Sequence, residues 1–132
     1  MAKHAVDLDG TLAEQYWKKY DEDYDPGKIG NPISLMVDRV KYWLSIGDEV
    51  VIYTCRVNPT DPAFLAPFVE AFEKWSMEVF GKVLCVTAMK DPYVDDFWDD
   101  KAVRVVRNTG MISNGSDVKD PLDKSDQMGK LM

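Results

Sequence analysis

Residues 4–12 read His4-Ala5-Val6-Asp7-Leu8-Asp9-Gly10-Thr11-Leu12, and the first half of this segment predicts a short apolar strand that stops at Gly10. Alternate residues of a strand point the same way, so Asp7 and Asp9 can face one site. Gly10 lets the chain turn sharply after them. Two neighbouring carboxylates repel each other unless a cation or a shared proton lies between them. The stretch therefore predicts an acidic site at the end of a strand.

Strand and helix patterns alternate along the chain beyond this stretch. The flap Ala13–Gly30 is polar, acidic and aromatic without helical periodicity, which predicts a loop. A first helix is predicted with Asn31 as its N-cap and Pro32 in its first turn, and it ends at Gly47. The regular part of a second helix begins at Pro67 and ends near Phe80. The predicted strands are Glu49–Tyr53, Val83–Thr87, a short strand around Phe97–Trp98 and a last strand Ala102–Val106.

This alternation is typical of an α/β fold. We expect a three-layer Rossmann-like domain with a mainly parallel central sheet and helices on both faces, spanning residues 1–107. Residues 108–132 contain no aromatic residue and no sustained period, and we expect them to form a polar tail.

Composition narrows the class of protein. The chain has 132 residues, 45% of them hydrophobic, which suits one globular domain. Its formal charge of −7 argues against stable binding of nucleic acid, since such binding needs Lys and Arg to neutralise phosphates. Two cysteines make no disulfide framework, and no apolar run predicts a leader or a membrane span. These features favour a cytoplasmic protein.

Four polar features follow predicted strands, where ligands of open α/β sheets bind. The carboxylates of Asp7 and Asp9 can hold Mg²⁺, which prefers oxygen ligands, and a carboxylate can also attack phosphorus. Thr54 and Arg56 can donate hydrogen bonds to phosphoryl oxygens, although a surface role for Arg56 is equally compatible with its position. The other two features are Lys90, which could also be a solvated lysine, and the pair Asp99-Asp100.

In this order the features resemble the four motifs of the haloacid dehalogenase superfamily of phosphatases. Asp-Leu-Asp-Gly-Thr-Leu at residues 7–12 is similar to the first motif, and the similarity extends over about residues 3–107. The resemblance implies that Asp7 is the nucleophile, that Asp9 is the general acid/base, and that Thr54 and Lys90 hold the phosphoryl group. It also implies a Mg²⁺ site formed by Asp7, the backbone of Asp9, Asp99 and Asp100, with substrate contacts from Arg56, Gly10 and Thr11.

The resemblance implies a magnesium-dependent phosphomonoesterase that forms a phospho-aspartyl intermediate. Neither Ala13–Gly47 nor the interval between the second and third motifs has room for a cap domain, so the chain resembles a minimal capless member. The substrate is expected to be a phosphorylated small molecule, and our hypothesis is a nucleotide or an end phosphate of a nucleic acid. The missing cap also makes a homo-oligomer a hypothesis.

Two other functions remain open at this stage. A phospho-receiver domain also uses an acidic cluster, Thr and Lys, but its paired acids come early, whereas Asp99-Asp100 follow Lys90 here. A non-catalytic phosphate-binding or interaction module is the second alternative, and the presence of both Asp7 and Asp9 counts against it.

Overall fold

A four-stranded parallel sheet forms the centre of the computed structural model, which describes residues 1–17, 24–58 and 61–123. The elements in chain order are β1 (Lys3–Asp7), α1 (Ser34–Ser45), β2 (Glu49–Tyr53), a 3₁₀ turn (Cys55–Val57), α2 (Pro62–Phe80), β3 (Cys85–Thr87) and β4 (Asp96–Trp98). The strand order is β3-β2-β1-β4, and every pair is parallel. The predicted α/β fold with a parallel sheet is confirmed.

Both described helices pack against one face of this sheet. The strands β1, β2 and β3 step in a single direction, so crossovers of one hand place α1 and α2 on the same side. One apolar cluster contains Val6 and Ile52 from the strands, Val40 from α1 and Phe68 from α2. Neither helix is long and apolar enough to cross a membrane.

An irregular segment, residues 88–95, takes the place of a helix on the opposite face. The chain returns through it from β3 to β4, on the far side of β1. The backbone N–H of Asp95 donates to the carbonyl oxygen of Lys3 (2.8 Å), and Nζ of Lys3 lies 2.5 Å from Oδ2 of Asp91. Only eight residues separate Thr87 from Asp96, and this connection forms a loop that contacts Lys3 where we expected a helical layer.

The bounds of the helices differ from the predictions. The first helix begins at Ser34 with Ile33 as N-cap, so Asn31 and Pro32 precede it. The second begins at Pro62, where the Asp61 side chain accepts a hydrogen bond from the backbone N–H of Ala63. Pro67 therefore lies inside this helix, contrary to the prediction. An aspartate cap and an N-terminal proline favour an earlier start strongly enough to accommodate a second proline.

The chain divides into two compact units, Met1–Asp100 and Lys101–Met132. The predicted strand Ala102–Val106 is wrong, because the described part of the second unit has only an isolated antiparallel bridge between Val105 and Ile112. The carboxylate of Asp117 in the predicted tail contacts Ser113 of the same tail and Arg104, which precedes it. Residues 124–132 of that tail, like residues 18–23 of the flap, lie outside the described residues.

A buried histidine joins three elements at the start of the sheet. Nδ1 of His4 lies 2.7 Å from Asp96, and Nε2 lies 2.8 Å from Asp48. The ring stacks on Trp43 with a centroid distance of 4.0 Å. Both ring nitrogens of His4 thus lie within hydrogen-bonding distance of a carboxylate. His4 in β1 therefore links Asp48, the residue before β2, to Asp96 in β4.

This linkage predicts a pH-dependent contribution to stability. The hydrogen bond from His4 lowers the pKa of Asp48. A carboxylate with a lowered folded-state pKa stabilises the fold above its unfolded pKa of about 3.9, and the contribution is lost as the pH falls through the lower value. We expect Asp48→Asn to lower the Tm at pH 7 and to change it little near the acid limit of folding. Thermal unfolding at both pH values checks this, with Asp38→Asn on α1 as the control. An equal Tm loss at both pH values would contradict the assignment.

Candidate functional site

Three carboxylates meet at the carboxyl end of the sheet. Asp7 is the last residue of β1, and Asp99 and Asp100 directly follow β4, which pairs with β1 in parallel. One oxygen from each carboxylate lies within 4.8 Å of the others. Asp7 is half-buried, and the other two are exposed. The structure thus brings the first and fourth predicted motifs together at one point.

This crowding perturbs Asp7. Burial, followed by the charge of Asp99 and a hydrogen bond to Asp100, raises the pKa of Asp7 to about 7. A divalent cation would relieve this repulsion and favour the ionised form. Hard oxygen ligands from two or three carboxylates also suit Mg²⁺, which keeps several waters. The donor set therefore fits the expected metal.

Gly10 and Thr11 fit closely around the acidic cluster. Gly10 has φ +90°, and a Cβ there would lie 2.7 Å from Oδ2 of Asp100. Any side chain at position 10 would therefore displace Asp100. The hydroxyl of Thr11 lies 3.4 Å from carboxylate oxygens of both Asp7 and Asp100, and it accepts a hydrogen bond from the backbone N–H of Asp100 at 3.0 Å. Thr11 thus links the two acidic motifs.

Asp9 does not join this cluster through its side chain. Its carboxylate forms a bidentate salt bridge with the guanidinium of Arg56. Nε of Arg56 lies 2.9 Å from Oδ2 of Asp9, and Nη2 lies 2.8 Å from Oδ1. Burial raises the pKa of Asp9, and the hydrogen bonds and charge of Arg56 oppose that rise. Both oxygens of the predicted acid/base residue are therefore oriented by one planar partner.

Arg56 is itself buried, in a pocket of aromatic rings. Its guanidinium carbon lies 4.6 Å from the ring centroid of Trp17, 5.2 Å from that of Tyr24 and 5.3 Å from that of Phe68. Nη1 donates to the carbonyl oxygen of Lys28 at 2.7 Å. Arg56 therefore connects the described ends of the flap, α2 and the acid/base residue. Its predicted contact with substrate stays a prediction.

Thr54 and Lys90 occupy different surroundings. Thr54 is buried at the end of β2, and its hydroxyl accepts a hydrogen bond from the backbone N–H of Arg56 at 3.2 Å. Lys90 is exposed, and its Nζ lies 5.5 Å from the ring centroid of Phe97. The contact with Phe97 places Lys90 on the sheet face opposite α1 and α2. The predicted phosphoryl contacts of both residues stay predictions.

The aromatic residues around Arg56 were not predicted as part of the site. The flap aromatics suggested packing, and the spacing of Phe68 matched a core stripe of α2. A buried arginine needs such neighbours, because flat apolar rings accommodate a guanidinium while a carboxylate balances its charge. The Thr54-x-Arg56 spacing was the one feature that could have indicated this arrangement.

Comparisons with protein-family models, with curated proteins and with solved structures give no match. The side chains that bear on function are those of Asp7, Asp9, Arg56, Asp99 and Asp100.

Proposed function

We propose that the chain is a magnesium-dependent phosphomonoester hydrolase in which Asp7 is the nucleophile. The observation that carries the proposal is the meeting of Asp7, Asp99 and Asp100 within 4.8 Å at the carboxyl end of a parallel sheet. Ligands of open α/β sheets bind at this end, and crowded carboxylates there favour a divalent cation. The resemblance to haloacid dehalogenase-type phosphatases assigns the same residues.

The chemistry proceeds in two displacements. An oxygen of Asp7 forms a bond to phosphorus while the ester P–O bond breaks, and the departing alcohol takes a proton. Water then attacks the acyl phosphate, which restores the Asp7 carboxylate and releases inorganic phosphate. Asp9 gives and later takes the proton. A Mg²⁺ ion held by Asp7, Asp99 and Asp100 would offset the negative charge on the phosphoryl group.

Arg56 positions Asp9 for this role. Its guanidinium fixes the plane of the carboxylate through two hydrogen bonds, and aromatic rings surround the guanidinium. A proton carrier held in one orientation loses less entropy when the substrate arrives. We assign Arg56 to positioning, and the exposed Lys90 to contact with the phosphoryl group.

A second candidate function follows from the same pair. Because both oxygens of Asp9 accept hydrogen bonds from Arg56, the second displacement can be slow. The chain would then accumulate phosphorylated Asp7 and act as a phospho-receiver. A phosphoprotein that survives for minutes after treatment with acetyl phosphate would favour this function over hydrolysis.

Metal removal tests the main proposal. We expect purified protein to release phosphate from p-nitrophenyl phosphate in Mg²⁺ and to lose at least about a hundredfold in rate in EDTA, because a metal ion supplies several kcal/mol of charge stabilisation. Excess Mg²⁺ added after EDTA should restore the rate, which controls for irreversible loss of the fold. Turnover that is unchanged by EDTA would contradict a metal-dependent mechanism.

A further inference from the structure

A cavity of about 390 Å³ lies on the sheet face opposite α1 and α2. Ligand pockets in proteins commonly have volumes of about 300–1,000 Å³. The cavity is lined by residues from all four strands and from the segment 88–95. They include Ala5, Val51, Tyr53, Cys85, Met89 and Phe97. No residue of the candidate site, apart from Lys90, belongs to this lining among the described residues.

The cavity lies on the same face of the sheet as the proposed nucleophile. Ala5 lines it, and Asp7 lies two residues further along β1 on the same face, a distance of roughly 7 Å at 3.3 Å per residue. Tyr53, which also lines the cavity, is the register partner of Asp7 in β2. A substituent of a phosphoryl group at Asp7 that extends along β1 toward Ala5 would therefore reach the cavity.

The chemistry of the lining suits a flat ring. Tyr53 and Phe97 form an edge-to-face pair with centroids 6.2 Å apart, and Ala5 and Val51 add apolar side chains to the lining. The Lys90 ammonium lies 5.5 Å from the Phe97 ring, so a ring seated there would have one cation beside it. The Lys3–Asp91 ion pair holds the segment that forms the wall. Aromatic rings pair favourably in this geometry.

The geometry points to a binding site for the leaving group of the substrate, and this leaving group is a planar aromatic ring. The inference rests on the proposed function for the position of the phosphoryl group, and it narrows the substrate to phosphomonoesters of aromatic or nucleobase-bearing alcohols. Among the described residues no helix lies on the sheet face where such a ring would bind.

Protection of Cys85 from a thiol reagent tests the site without any turnover. The chain has two cysteines, so Cys55→Ser leaves Cys85 as its single thiol. We expect phenylphosphonate with Mg²⁺, at ten times its Kd, to slow maleimide labelling of Cys85 roughly tenfold, since only the unbound fraction reacts. Methylphosphonate, which lacks the ring, should leave the rate unchanged. Equal labelling rates with and without phenylphosphonate up to its solubility limit would overturn the inference.

A cavity-filling substitution gives the second test. We expect Cys85→Phe to lower kcat/KM for p-nitrophenyl phosphate on the order of tenfold or more, because a filled pocket excludes the ring, and to spare glycerol phosphate. Met77→Phe, at an exposed position of α2, is the matched control. Equal losses on both substrates would overturn the inference. If no phosphomonoester is hydrolysed, the proposed function fails, and Cys85 protection alone then decides whether the ring site exists.

Discussion

Asp7→Asn should reduce phosphate release by roughly 10⁴-fold or more, the scale of loss when an enzyme is deprived of its nucleophile. The amide cannot attack phosphorus, and it also removes one of the three carboxylates that meet at the carboxyl end of the sheet. Steady-state release of phosphate from p-nitrophenyl phosphate in Mg²⁺ measures the loss. Acid-quenched protein should contain a phosphorylated form in the wild type and none in the variant.

The stability of the variant separates loss of chemistry from loss of fold. The raised pKa of Asp7 means that its ionised form destabilises the metal-free folded state above the unfolded pKa of about 3.9. The metal-free Asn variant should therefore have an equal or higher Tm at neutral pH. The exposed Asp38→Asn serves as the control for activity. An Asp7→Asn variant that is well folded and turns over within tenfold of the wild type would exclude Asp7 as the nucleophile.

Arg56→Met should lower the free energy of unfolding by about 3–5 kcal/mol, the cost of removing one partner of a buried ion pair. The Asp9 carboxylate would stay buried with neither of its present guanidinium hydrogen bonds, and the carbonyl of Lys28 would lose its donor. Urea unfolding followed by tryptophan fluorescence measures the change. The double variant Asp9→Leu/Arg56→Met should recover most of it, because both charges are then absent.

The chain contains a matched control for this ion pair. Arg104 and Asp117 also form a salt bridge at 3.0 Å, but their side chains are 56% and 40% exposed. Exposed pairs contribute about 0–1 kcal/mol, so Arg104→Met should change the unfolding free energy by no more than that. Equal effects of the two substitutions would show that burial does not distinguish the two pairs and would contradict the expected contribution of the Arg56–Asp9 pair to stability.

The sheet was predictable because its strands have local features. The apolar run before Asp7, the β-branched run Glu49–Tyr53 and the alternation with amphipathic helices all depend on neighbouring residues. The last predicted strand failed for the same reason. Ala102–Val106 has strand-like residues, but most of them are exposed, and the bridge at Val105 pairs with Ile112 and not with the sheet.

The candidate site was predictable as a set of residues but not as a set of contacts. Strand ends of a parallel sheet converge, so grouping Asp7 with Asp99 and Asp100 followed from topology. The partner of Asp9 lies 47 residues away and was expected to contact substrate. A two-point pairing of this kind depends on side-chain packing around the guanidinium, which residue spacing does not encode. The sequence also did not predict that residues 88–95 connect β3 to β4 without a helix, since a short crossover loop resembles any other loop in sequence.

The order of the strands has a consequence for how the molecule is made. Of the four strands of this sheet β1 is synthesised first, yet it lies between β2 and β4, and its contacts with β4 join residues as far as 92 positions apart. The apolar strand β1 therefore lacks one of its two neighbouring strands until β4 has been synthesised. Asp7 gains its acidic partners only at the end of that interval, so a partly synthesised chain carries the proposed nucleophile without the other two carboxylates of its cluster.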